Sequence, residues 1–434
     1  MVNLLITMRC NRSCSFCFAK EKRDVYSKPG KIIDISEENV EKVLSFLAKS
    51  RCEIIQIAGG EPTLHPKFEE IVKKTLESMR ANILSNCMWD SKLNDFFDEI
   101  SPNSLGFLLN IDHPKRYNPS EWDKVEENLS FLSKRENITL SFNIFEKEPD
   151  YHYVFDLASK YHFKNLRLSF SMPVNYQGNK NTYLNIDEYK YASVAVMEFV
   201  KTAEALGANV GIDNALPICM FTSEDLFELI LKKVISPERN FVCYPAIDIG
   251  PDLSVWRCFG TSKLFNKKLD DFNSLDQVYE YYQRVSRLYQ FKFFQMEKCY
   301  KCNYADQERC QGGCIGFAEM KSEDQGVLVK EITDQEILKA KLKLSTKFTS
   351  QNYRYPQEIT SIKLENGSTI EVPSSLGKLF PLFNGRQTTV EILGKSMPNF
   401  DAKEDRLSEI LIEMVIQQTI PYIRNLLECN VLLQ

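Results

Sequence analysis

VNLLITMRCNRSCSFCFAK, residues 2–20, sets a short apolar run directly before three cysteines, Cys10, Cys14 and Cys17. The run has the length and character of a strand. The cysteines follow with three and then two residues between them. A disulfide framework uses an even number of cysteines. A structural zinc site needs a fourth ligand close in sequence, and the nearest candidate, Cys52, lies more than thirty residues on.

Outward from this stretch, helices and strands alternate. Ser36–Ser50 has helical spacing behind a serine cap, and Glu53–Gly60 reads as a strand ending in a glycine turn. Helix over His65–Met79, strand over Ala81–Asn86, helix over Ser91–Ile100 and strand over Ser104–Asp112 continue the series. It runs on through helix Ser120–Lys134, strand Ile138–Phe145, helix Asp150–His162 and strand Asn165–Pro173. Six such units predict an α/β fold with a parallel sheet and helical crossovers. Six are too few to close the eight-stranded barrel, so a partial (β/α)6 TIM-type barrel is expected, with its site at the C-terminal strand ends. The three cysteines sit there.

The chain has 434 residues, 43% hydrophobic, with a net charge of −5 and a pI near 5.7. That length suits two or three domains, and the acidic balance leaves no electrostatic footprint for nucleic acid. No apolar run approaches membrane-spanning length, and the first residues lack signal-peptide features. A cytoplasmic protein without a membrane partner is expected. Thirteen cysteines in that compartment are read as thiols for metal or Fe–S ligation.

The CxxxCxxC spacing, with Phe16 before the third cysteine, resembles the signature of the radical S-adenosylmethionine (SAM) superfamily. The resemblance implies that Cys10, Cys14 and Cys17 hold a [4Fe–4S] cluster whose fourth iron chelates SAM. Reductive cleavage of SAM would then give a 5′-deoxyadenosyl radical that abstracts hydrogen from substrate. A chance triplet or an incomplete zinc site is the bland alternative. AGGEP, Ala58–Pro62, follows the second strand and resembles the family's GGEP motif, which receives the SAM amino group. Glycines let a backbone approach a ligand closely, and a carboxylate accepts from an ammonium. Gly59, Gly60, Glu61 and Pro62 are therefore candidate SAM contacts. LSNC resembles the family's Thr-Asn-Gly-like turn through Ser85 and Asn86, with Cys87 in place of glycine. By the same resemblance Asn110, Asp112, Asn143 and Arg167 would reach the SAM ribose and carboxylate. Each is equally an ordinary polar residue at a strand end. Cys52 and Cys87 are read as core thiols, and His65 and His113 as structural.

Cysteines return after residue 215: Cys219, Cys243, Cys258, Cys299, Cys302, Cys310 and Cys314. This region resembles the SPASM (twitch-type) extension, which carries auxiliary [4Fe–4S] clusters. It departs from the usual pattern, with seven residues where five precede the CxxxC pair and Leu253 where glycine stands. The resemblance implies one cluster on Cys219, Cys243, Cys258 and Cys314. A second would sit on Cys299, Cys302 and Cys310, which lack an obvious fourth ligand. One or two auxiliary clusters fit, and paired cysteine knuckles also hold zinc.

In the last hundred residues a strand precedes a hairpin with an Asn366–Gly367 turn. Three helical stretches follow, the last interrupted by Pro421. This winged-helix-like order resembles the pyrroloquinoline-quinone peptide chaperone (PqqD), and so a peptide (RiPP) recognition element. The organisation expected is a barrel over 1–215, an auxiliary-cluster domain over 216–330 and a leader-binding domain over 331–434. The reading is a radical SAM peptide maturase that crosslinks a ribosomal precursor peptide. Its electron donor would be a flavodoxin or ferredoxin. A dehydrogenase of a small metabolite and a non-catalytic Fe–S peptide-binding chaperone are the alternatives.

Overall fold

The structure is a computed structural model. It describes residues 2–433 apart from 177–178, 263–264, 293–295, 308, 325–342, 345–347, 354–358, 365–368, 395–418, 420–421, 425 and 427–431. The Asn366–Gly367 turn, Pro421 with most of the expected last helix, and Cys429 lie outside the described residues.

The six expected strands are β1 (Val2–Thr7), β2 (Ile54–Gly59), β3 (Arg80–Ser85), β4 (Leu105–Asn110), β5 (Ile138–Ile144) and β6 (Asn165–Phe170). They lie side by side in chain order, all parallel. Between them run helices α1 (Lys20–Tyr26), α2 (Glu37–Lys49), α3 (Phe68–Leu76), α4 (Leu93–Asp98), α5 (Pro119–Leu132) and α6 (His152–Tyr161). A small hairpin, β7 (Asn175–Tyr176) and β8 (Asn179–Lys180), and helix α7 (Tyr189–Ala205) follow. The parallel run is longer than the six strands expected. β9 (Asn209–Ile212) pairs parallel with β6 at one side, and β10 (Ile247–Ile249) pairs parallel with β1 at the other. Both are too short to carry a periodic signal. Helices α8 (Ser223–Leu231) and α9 (Pro237–Asn240) lie between them in sequence. β11 (Ser254–Arg257) and β12 (Lys267–Lys268) then add antiparallel strands, making an open ten-stranded sheet from β12 to β9. Among the described residues no pairing closes it.

Local signals set these elements. The Ser36 side chain accepts the Asn39 N–H at the start of α2. Asn118 and Glu121 form a reciprocal capping box on α5, with Pro119 at its first position. Each helix then turns an apolar stripe inward: Val40, Val43, Leu44 and Leu47 on α2, and Val125, Leu129 and Leu132 on α5. Phe97 meets Phe107 edge-to-face at 5.0 Å and Trp89 at 5.5 Å, which fastens α4 and the loop before it onto β4.

The chain divides into two units: residues 1–286 with 309–321, and residues 287–308 with 322–434. The first contains the whole ten-stranded sheet, so the hairpin leading to Cys258 is part of it. Leu253, where glycine was expected, takes the left-handed conformation at φ 61° in the turn between β10 and β11. The turn keeps the geometry that favours glycine while the leucine side chain is buried. The second unit contains an antiparallel three-stranded sheet, Phe348–Tyr353, Ile359–Leu364 and Thr369–Pro373, with the short helix Ser374–Gly377 after it.

Asn128 is fully buried within α5. Its Nδ2 donates to the carbonyls of Cys87 at 3.0 Å and Trp89 at 3.1 Å. It thereby fixes the loop that leaves β3. Asn128→Ala strands two buried carbonyls and should destabilise the protein by about 2–4 kcal/mol. Urea unfolding of the first unit's transition measures this. A midpoint unchanged from wild type would show that the loop satisfies its carbonyls another way.

Candidate functional site

The C-terminal ends of consecutive parallel strands lie along one edge of the sheet, and the sequence-predicted residues gather there. β1 ends at Thr7 and leads into Cys10–Cys17; β2 ends at Gly59 and leads into Gly60–Pro62. Pairing between these strands continues past their ends. The Gly60 N–H donates to the Thr7 carbonyl at 2.8 Å, and the Glu61 N–H to the Arg9 carbonyl at 2.7 Å. The two glycines are required by this approach. A Cβ at Gly59 would stand 2.2 Å from the Thr7 oxygen, and one at Gly60 would stand 2.1 Å from the Arg9 oxygen and 2.9 Å from the Cys10 Cβ. GGEP is therefore the surface against which the first cysteine is seated.

Glu61 is fully buried. Its Oε1 accepts from the Thr63 hydroxyl and the Ser85 hydroxyl, both at 2.8 Å, and its Oε2 from the Asn86 N–H at 2.8 Å. Burial raises its pKa while those donors hold it down. Ser85 thus reaches Glu61, and Asn86 reaches the cysteine loop: its Nδ2 donates to Asn11 Oδ1 at 2.7 Å and lies 4.0 Å from the Cys10 sulfur. Cys87 takes φ 66°, the left-handed turn where the family motif has glycine, and is buried as expected. Cys52 is not the core thiol expected. It is half-buried after α2, and its thiol donates to the Ile54 carbonyl at 3.3 Å.

The cysteine loop has a second anchor, which the sequence reading did not single out. The Arg12 guanidinium lies over the Tyr117 ring at 3.9 Å and pairs with Asp112 at 3.6 Å and Glu121 at 3.4 Å. Asp112 also pairs with Arg116 at 3.5 Å and accepts the His113 N–H at 2.8 Å. Both Arg12 and Asp112 are largely buried, where charge-assisted contacts gain strength. Asp112 thus clamps the loop between Cys10 and Cys14. The cue was present in the sequence: an arginine between the two cysteines and a carboxylate after the fourth strand.

Phe16 stacks on Phe145 at 4.7 Å, and its carbonyl accepts from Ser171 at 3.0 Å and Asn181 at 3.2 Å. Asn110 and Asn143 are half-buried neighbours, with Asn143 Nδ2 3.4 Å from Asn110 Oδ1. Arg167 on β6 is ion-paired with Asp213 and donates to the Ser141 hydroxyl at 2.9 Å. His65 is buried, with one ring nitrogen 3.1 Å from the Ile35 carbonyl and the other accepting the Lys67 N–H. It is structural, as expected.

Cys10, Cys14 and Cys17 are half-buried free thiols. Burial pushes the Cys14 thiol up to about 11, with Asp112 and Cys17 adding negative charge. Burial likewise raises Cys10, tempered by the Arg12 N–H that donates to its sulfur. Three neighbouring half-buried thiols suit a cationic iron centre, which ionises its thiol ligands outright. A four-iron cube takes each thiolate on a different iron, so its ligands need not converge on one point. Among the described residues no three His, Cys, Asp or Glu side chains do converge as a single ion would require.

Of the later cysteines, Cys243, Cys258 and Cys314 lie near enough in the first unit to interact electrostatically. The Cys243 N–H donates to Gln311 Oε1 at 2.7 Å, and the Gln311 N–H to the Phe241 carbonyl at 3.0 Å. These bonds join the two cysteine-bearing segments. Cys219 is exposed, two residues after Pro217, which lies near Gly313. Cys310 belongs to the first unit, while Cys299 and Cys302 belong to the second. There, Cys302 packs against a small buried cluster of Cys299 and Ala305.

Residues 4–145 match the family model of the radical SAM superfamily. The chain therefore carries a radical SAM domain, and that family implies a [4Fe–4S] cluster and SAM. Over 75 residues it is 35% identical to the 7,8-dihydro-6-hydroxymethylpterin dimethyltransferase of Methanocaldococcus jannaschii, a match covering 17% of this chain and 14% of that protein. The fold is similar to that of Streptococcus suis SuiB bound to its precursor peptide SuiA. The TM-score is 0.52 at 13% identity, over 72% of this chain and 71% of that one. It is also similar to anSMEcpe with bound AdoMet and the Kp18Cys peptide, at TM-score 0.51 and 18% identity, over 72% of this chain and 89% of that one. Among the described residues no helix is long and apolar enough to cross a membrane.

The seating of Cys10 on Gly60 is open to a direct check. Gly60→Ala forces the Arg9 carbonyl and Cys10 away from β2, because both would stand within 3.0 Å of the new methyl. The variant should lose iron bound at the barrel cysteines while keeping its far-UV circular dichroism. Iron analysis after anaerobic reconstitution measures the loss, and wild-type iron content would contradict the seating.

Proposed function

We propose that this chain is a radical SAM peptide maturase that abstracts hydrogen from a ribosomal precursor peptide and forms an intramolecular crosslink. The observation that carries the radical SAM part is the backbone pairing of Gly60 and Glu61 with Thr7 and Arg9, which joins the GGEP turn to the cysteine loop. Cys10, Cys14 and Cys17 hold the [4Fe–4S] cluster that, once reduced, supplies the 5′-deoxyadenosyl radical from SAM. Gly59, Gly60 and Pro62 shape the turn beside it, and Glu61 holds that turn to Ser85 and Asn86. Phe16, Asn110 and Asn143 border the same strand ends, Arg167 lies within β6, and these residues orient SAM, while Asp112 acts through Arg12 on the loop. Cys219, Cys243, Cys258 and Cys314 hold an auxiliary [4Fe–4S] cluster. Cys299, Cys302 and Cys310 are ligands for a second one. A flavodoxin or ferredoxin supplies the electron that cleaves SAM, and the auxiliary cluster would accept the electron released when the substrate radical closes the crosslink, the second hydrogen leaving as a proton.

The peptide substrate is supported by likeness of fold to SuiB and anSMEcpe, each solved with a peptide. It is supported too by the three-stranded sheet of the second unit, whose outer strands pair on one side only among the described residues, an arrangement to which a peptide strand can add. A separate leader-binding module raises the local concentration of the right substrate. The second reading, a radical SAM enzyme acting on a small molecule, draws on the pterin-methylating relative. That relative matches this chain over only 75 residues.

Full-length, reconstituted and reduced enzyme should be incubated with SAM and a small precursor peptide encoded beside its gene, with and without the leader. Mass spectrometry is expected to show loss of two hydrogens per crosslink, and only with the leader at low peptide concentration. Equal processing of the leaderless peptide would contradict leader capture. An unmodified peptide alongside oxidation of a small alcohol would favour the second reading.

A further inference from the structure

Arg257 ends β11, directly before Cys258, and is only 3% exposed. Its Nη2 donates to the Cys243 carbonyl at 2.5 Å and to the Cys243 sulfur at 3.2 Å. Its Nε and Nη1 find no hydrogen-bond partner among the described residues. Cys258 follows it directly in sequence, and Cys314 lies within electrostatic reach. A buried guanidinium is always charged, and leaving it without a counter-charge is strongly destabilising. Neutral thiols do not provide one. Thiolates bound to a metal centre do.

The backbone around Arg257 is built to hold this arrangement. Cys258 takes φ 48°, a left-handed conformation that a non-glycine residue adopts only where its surroundings impose it. The Cys258 N–H donates to the Ala246 carbonyl at 2.9 Å, and the Cys258 sulfur lies 3.6 Å from the Thr261 hydroxyl. Gly313, at φ 103°, leaves no room for a side chain, since a Cβ there would meet Ile186 at 2.8 Å. Pro217, two residues before Cys219, would stand 3.4 Å from the same Cβ, so the segment carrying Cys314 lies close to the segment before Cys219.

We infer that Arg257 is the fixed counter-charge of an anionic metal–thiolate centre on Cys243, Cys258 and Cys314, and that it sets that centre's reduction potential. The inference rests on the auxiliary-cluster reading and deepens it, because it names the residue that balances the site. A positive charge and an N–H donor beside a cluster sulfur stabilise the reduced, more negative form, and so raise the potential. Arg257 acts through the centre and is a positioning residue.

The test uses the full-length chain, reconstituted anaerobically with iron and sulfide, as wild type, Arg257→Met and Arg257→Lys. Iron and sulfide content and an EPR-monitored reductive titration are measured for each. Wild type should hold more iron than the barrel cluster accounts for. Arg257→Met should keep the barrel cluster, while its second cluster titrates at a more negative potential or is lost. Arg257→Lys, which keeps the charge, should lie nearer to wild type. A second cluster in Arg257→Met with wild-type potential and occupancy would overturn the role of Arg257 and leave the auxiliary cluster standing. Equal loss in both variants would also overturn it, since packing and not charge would then be at stake. Wild type with iron for one cluster only would overturn the auxiliary cluster itself, and this inference with it.

Discussion

Two backbone hydrogen bonds, from Gly60 to the Thr7 carbonyl and from Glu61 to the Arg9 carbonyl, bring the ends of β1 and β2 together. A parallel pair of strands normally diverges into separate loops once the sheet ends. Here the pairing runs on, and the chain leaving β1 must turn against the GGEP strand. Side chains at residues 59 and 60 would forbid it, because the Thr7 and Arg9 oxygens occupy the space of a Cβ. The position of Cys10 follows from that contact. Arg12 then fixes the loop on its other side by burying its charge against Tyr117 and Asp112. Glu61, tied to Ser85 and the Asn86 amide, links the same contact to β3.

Much of this was legible in the sequence. The six strand–helix units carry long periodic signals, and all six strands stand in chain order in the sheet. The cysteine triplet and GGEP were legible because their residue types are costly elsewhere: adjacent glycines weaken a strand, and clustered thiols rarely pack a core without a role. The short strands β9 and β10 were not legible, since four and three residues carry too little pattern and owe their pairing to the sheet already formed. The pairing of Asp112 was not legible for a related reason. A carboxylate at a strand end reads alike whether it faces a ligand or an arginine, and only the fold brings Arg12 and Arg116 to it.

The later cysteines show the same limit. Their spacing suggested clusters, and the tertiary structure gathers Cys243, Cys258 and Cys314 from three separate segments. The departures from the expected pattern have local explanations. Leu253 keeps the left-handed turn that glycine would give, and Cys87 does the same after β3. In both places the backbone geometry is kept by burial of the side chain, which offsets the strain of a positive φ. Arg257 has no spacing signature at all, and its meaning appears only once its burial against the Cys243 sulfur is known.

The central claim is that the loop seated on GGEP is a site of reductive SAM cleavage. It is tested most directly by chromatographic measurement of 5′-deoxyadenosine after anaerobic incubation of the reconstituted, dithionite-reduced full-length protein with SAM. The account predicts 5′-deoxyadenosine and methionine in equal amounts from wild type. It predicts neither from a variant with Cys10, Cys14 and Cys17 all changed to Ala, which still binds iron at its later cysteines. 5′-Deoxyadenosine from that triple variant, or none from iron-replete wild type, would contradict it.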